Sequence, residues 1–96
     1  MKYIFTIFIF TVFSAISRVG YSQGFHTSSN KALKIYNEGV LAFDYLDFNK
    51  AEIDFREAIS IDNKFYEAYM MLGELMSKQN RFSEASLNYQ KAIKID

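Results

Sequence analysis

The sequence predicts an all-α chain in which an apolar leader and a short polar lead-in precede two antiparallel helix-turn-helix hairpins. Three observations predict it. From Lys31 to Asp96 there is no proline, and glycine occurs only at Gly39 and Gly73, so helices can run unbroken. The same stretch repeats with a period of 34 residues, which superimposes Gly39 on Gly73, Leu41 on Leu75, Phe48 on Phe82, Ala51 on Ala85, Phe55 on Tyr89 and Ala58 on Ala92. The match runs on through Ile59 and Ile93, Ile61 and Ile95, and Asp62 and Asp96. In the second half of the first repeat, Phe48, Ala51, Phe55, Ala58 and Ile59 recur at intervals of three and four. That is one face of a helix, not the alternation of a strand.

Residues 1–22 read as a secretory signal peptide. Lys2 is followed by an uncharged run from Tyr3 to Ser17, rich in Phe and Ile, and then by small residues around Arg18. A bilayer core needs roughly 20 apolar residues, so this run is short for a transmembrane helix. A strand of this hydrophobicity needs burial on both faces, and no partner strand follows. Small residues suit cleavage after Ser17, with Ala15, or after Ser22, with Gly20; the second leaves a chain starting at Gln23. The chain has no cysteine, so neither a disulfide nor a lipidated Cys anchors it. Its formal charge is zero, and loss of Lys2 and Arg18 leaves nine basic against eleven acidic side chains. No basic face for nucleic acid is implied.

Residues 23–30, QGFHTSSN, carry no hydrophobic period and read as a flexible linker, with Ser28, Ser29 or Asn30 available to cap the first helix. The lone His26 lies here, without the neighbours that would make it a base or a metal ligand, and is expected to be exposed and without a role. The helical domain spans 31–96, as repeats of about 32–65 and 66–96. Helices are expected at about 31–45, 48–61, 65–78 and 82–95, with turns at Leu46–Asp47, Asp62–Lys64 and Gln79–Arg81. Asp47, or Asn49 with Glu52, is expected to cap the second helix, and Asn80 the fourth.

Small residues at Gly39, Gly73, Ala51, Ala58, Ala85 and Ala92 let paired helices approach, while Phe48, Phe55, Phe82 and Tyr89 fill the space beside them. With Tyr69 and Leu72 these form the expected repeat packing. The pattern resembles the tetratricopeptide repeat family, which places a large residue, a Leu-Gly pair, an aromatic, an Ala, another aromatic and another Ala along 34 positions. Tyr69, Leu72, Gly73, Phe82, Ala85, Tyr89 and Ala92 match it, with Met76 in place of the usual Tyr. The first repeat keeps Ile35, Gly39, Phe48, Ala51, Phe55 and Ala58, but has Glu38 in place of Leu.

The resemblance implies a solenoid whose first helices line a concave groove. The inward positions are Tyr36, Val40, Phe43 and Asp44 in the first repeat, and Met70, Glu74, Ser77 and Lys78 in the second. An extended or helical peptide or protein segment is the expected partner. Equally, Tyr36, Val40 and Phe43 can serve as packing surface. The family's clamp for a terminal carboxylate uses a Lys and an Asn where Tyr36 and Val40 stand, so that clamp is not present in this repeat.

Chemistry is thinly supplied: one histidine, no cysteine and no phosphate-binding loop. Asp44 with Asp47, Glu52 with Asp54 and Asp54 with Glu57 read as solvent-facing charge. No catalytic, cofactor or metal residue is assigned. The expected function is a non-catalytic protein-interaction scaffold of the bacterial envelope, periplasm or exterior, with no nucleic-acid partner and no membrane contact after cleavage. An open second repeat at Asp96 suggests either the start of a longer protein, whose working domain follows, or self-association through the open end. A membrane-anchored adaptor with an uncleaved leader is the other alternative.

Overall fold

A computed structural model describes residues 24–96, so the expected leader, residues 1–22, lies outside the described residues. Among the described residues the chain forms four helices: α1 (Asn30–Asp44), α2 (Phe48–Ile61), α3 (Tyr66–Lys78) and α4 (Phe82–Ile95). Each boundary falls within one residue of the sequence expectation. The helices form two hairpins, α1 with α2 and α3 with α4, stacked through α2 and α3.

Local chemistry fixes the ends. Ser29 caps α1 by accepting from the Ala32 N–H, and Asp47 caps α2 by accepting from the Lys50 N–H. Asn49 is an ordinary residue of α2. Asn80 does not cap α4; Arg81 stands at that position, with no side-chain hydrogen bond. Asn80 instead takes a left-handed backbone, φ 60°, and closes α3: its N–H donates to the Ser77 carbonyl and the Arg81 N–H to that of Met76. Leu46, 34 residues earlier, repeats this at φ 64°, with the Leu46 N–H donating to the Phe43 carbonyl and Asp47 to Ala42.

Between the hairpins, Asp62 organises the turn. One carboxylate oxygen accepts from the Lys64 N–H at 3.1 Å, and the Asp62 carbonyl accepts from the Phe65 N–H. Tyr69 ties the same turn down by donating its hydroxyl to the Asn63 carbonyl at 2.9 Å.

The helices interlock where Cβ atoms are absent or small. A Cβ at Gly39 would stand 2.8 Å from the Phe55 ring, and one at Gly73 2.5 Å from the Tyr89 ring. Ala51, Ala58, Ala85 and Ala92 are buried beside them. Phe55, Phe65, Leu72, Leu75 and Met76 are the largest fully buried side chains, and each contributes roughly 1.5–3 kcal/mol by leaving water.

Two expectations about burial are also corrected. Phe82 is 63 % exposed instead of packed. In the first repeat Phe48 is half-buried, its ring centroid 5.6 Å from that of Phe43, whereas the residue 34 beyond Phe43 is Ser77, which offers Phe82 no ring. Asp54 is buried, not solvent-facing. It lies against the open space of Gly39 and takes the Lys50 ammonium at 2.8 Å.

Candidate functional site: the inward face and the rim of the stack

The inward positions do not all behave alike. Tyr36 is buried in the core, tilted against Phe55 and Phe65 at centroid distances of 5.7 and 5.0 Å, and so is removed from the expected groove. Burial pushes its hydroxyl pKa up, and Glu67 and Glu74 on α3 push the same way. Val40 and Phe43 are half-buried, with one side in the core. Met70 and Ser77 are half-buried, while Asp44, Glu74 and Lys78 are exposed. The Lys78 ammonium sits 5.9 Å from the Phe43 ring centroid, so the inward positions of α1 and α3 face each other. The inward positions thus offer half-buried apolar side chains at Val40, Phe43 and Met70 and exposed charge of both signs at Asp44, Glu74 and Lys78.

An ion-pair network staples the hairpins on another side. Glu52 on α2 accepts from Arg56 at 2.9 Å and, across the repeat boundary, from Arg81 at 2.8 Å. Arg81 also holds Glu84 at 2.6 Å. The hydrogen bond from Arg81 is the chief reason the Glu52 pKa is lowered.

The lead-in read from sequence as a flexible linker is laid onto the stack. Phe25 sets its ring edge-on to Tyr36 at 5.6 Å and to Phe65 at 6.5 Å. His26 donates its backbone N–H to both oxygens of Glu67, at 3.0 and 3.2 Å. Its Nδ1 lies 2.8 Å from Glu67 and its Nε2 3.0 Å from Asp96, with the ring tilted over Tyr66. Thr27 donates its hydroxyl to Asp62. His26 is therefore exposed, as expected, but not idle. The Glu67 hydrogen bond, opposed in part by desolvation and aided by the charges of Glu67 and Asp96, raises its pKa above 6.5.

Three parts of this surface escape sequence reasoning. Phe65 has no signal in the repeat, because the residue 34 before it is Lys31. Phe25 is the lone apolar residue of a polar segment, and that isolation is the available hint. The third is a shallow depression of about 370 Å³ beside α1 and α2, lined by Glu38, Leu41, Ala42, Tyr45, Asp47 and Lys50. The repeat gives no sign of it, since leucine stands at both positions, yet Leu41 is 58 % exposed while its counterpart Leu75 is fully buried.

Residues 66–96, the second hairpin, match the family model of the tetratricopeptide repeat. No curated protein matches the chain. The repeat match supports a protein-interaction scaffold in general terms, since modules of this kind are typically non-catalytic.

Proposed function

We propose that this chain, whose second hairpin is a tetratricopeptide repeat, is an exported, non-catalytic scaffold that holds a peptide or protein segment along its inward face. The observation that carries the reading is the half-buried strip of Val40, Phe43 and Met70, flanked by Asp44, Glu74 and Lys78. Such a strip offers apolar area for affinity and charge for register. Export to the envelope, periplasm or exterior rests on the composition of residues 1–22. A photo-reactive amino acid at Met70 tests the groove: protein adducts are expected there and not at Leu87, an exposed residue of α4 that is not among the inward positions. Equal adducts from both positions would contradict it.

A second reading, self-association or docking of a further element on α4, is favoured by one comparison. Phe48 and Ile59 are half-covered in the first repeat, whereas their counterparts Phe82 and Ile93 are 63 % and 69 % exposed. Large exposed apolar residues on one stripe mark an interaction edge. The same edge suits an adaptor within a longer envelope protein, or a membrane-anchored adaptor that retains its leader. Sedimentation velocity separates self-association from the groove reading, because Phe82→Ser with Ile93→Ser is expected to abolish any oligomer and leave Met70 adducts unchanged.

A further inference from the structure

We propose that the rim formed by Tyr36, Phe65, Tyr66 and Glu67 is a binding site for an extended segment bearing an aromatic residue followed by a histidine, and that Phe25–His26–Thr27 occupies it in cis. Tyr36 and Tyr66 stand four residues before Val40 and Met70 on the same helices, so the rim adjoins the groove positions Val40, Phe43 and Met70 but shares no residue with them. Its contacts have the character of ligand recognition. An aromatic side chain enters between two rings, a backbone N–H is held by both oxygens of one carboxylate, and the next two side chains are each read by an aspartate. Those aspartates, Asp62 and Asp96, are 34 residues apart and end successive repeats, so the stack presents one acidic group per hairpin to consecutive residues of the segment.

The charge state of the segment decides its fit. Both ring nitrogens of His26 face carboxylates, Glu67 on α3 and Asp96 just beyond α4, with the Tyr66 ring beside them and Asp62 one residue along. Only the doubly protonated imidazolium donates to both. The segment therefore binds more tightly in acid and loosens in base, exposing Tyr36 and Phe65 to a competing segment of the same chemistry.

The test uses the whole chain. In a Phe25→Ala, His26→Ala variant the rim is vacant, and acetyl-Gly-Phe-His-Thr-Ser-amide should produce saturable amide shifts at Tyr36, Phe65, Tyr66 and Glu67. The unaltered chain, already filled, should show none. Binding should be about tenfold or more tighter at pH 6 than at pH 8, the scale of one charge-assisted hydrogen bond. A helical variant that takes no peptide at millimolar concentration overturns the proposal, and so does equal binding of a peptide with Ala in place of Phe. Should the variant fail to fold, the unaltered chain still decides: His26 titrating as a free histidine with a rapidly exchanging amide overturns it. A dimer that dissociates in the variant assigns the segment to a second copy and overturns occupancy in cis.

Discussion

At Leu46 the backbone and the side chain disagree. A φ of 64° is natural for glycine or asparagine, and a leucine held there costs roughly 1–2 kcal/mol. Its side chain is exposed and recovers little of that by packing. Asn80 solves the same turn in the second repeat, so Leu46→Asn is expected to stabilise the chain by about 0.5–1 kcal/mol. A chemical denaturation midpoint that fails to rise would show that the closing turn is not strained. The two interlocking glycines should differ in the opposite sense. Alanine gains roughly 1 kcal/mol of helix propensity at either position, but a Cβ at Gly39 meets Phe55, which is fully buried and cannot yield. Gly39→Ala is expected to cost about 1–3 kcal/mol. Gly73→Ala should cost less, because the half-buried Tyr89 can swing outward. Equal melting temperatures for the two variants would contradict this account of the helix contact. At His26, a pKa raised above 6.5 in the folded chain means that its contribution is fully present below pH 6.5 and fades as pH rises through the folded value. Glu67→Gln should therefore lower the His26 midpoint seen by NMR, and an unchanged midpoint would mean that Glu67 is not its partner.

The helices themselves were legible in the sequence to within a residue, because the absence of proline, the three-and-four spacing and the 34-residue period all act locally or within one hairpin. Ala85 illustrates what the spacing encodes: it is nearly fully buried between α3 and α4. Ala85→Glu strands a charge there and is expected to cost about 3–5 kcal/mol, seen as loss of helical circular dichroism in the second hairpin. Retention of the parent melting curve would mean that the two helices do not face each other. What the period could not reveal is context that differs between repeats. Phe48 and Phe82 occupy the same register, yet their exposure is set by Phe43 in one hairpin and Ser77 in the other. Phe65 was invisible for the complementary reason: it lies at the junction of the repeats and takes its importance from three rings, Phe25, Tyr36 and itself, that meet only in the folded stack.

At the scale of the whole molecule, the division between packing and binding surface follows from how the hairpins stack. Packing buries Tyr36 among Phe25, Phe55 and Phe65, and the α3 residues Ala68, Leu75 and Met76 lie in the same core. The same packing leaves open the strip at Val40, Phe43 and Met70, the depression at Leu41 and Tyr45, and the edge at Phe82 and Ile93. The inward positions were legible as a set, because they follow from helix register, but their fates were not: Tyr36 went to the core once Phe25 and Phe65 closed over it. Phe43 is the residue on which the functional account turns, being half-exposed with Lys78 above it and Phe48 behind. The most direct measurement is therefore photo-crosslinked partner capture at Met70 in Phe43→Ser, taken beside its melting temperature. The groove account predicts capture reduced at least severalfold while the loss of stability stays near 1–2 kcal/mol, as for a half-buried aromatic. Capture that falls only in proportion to unfolding would contradict it and return Phe43 to the core.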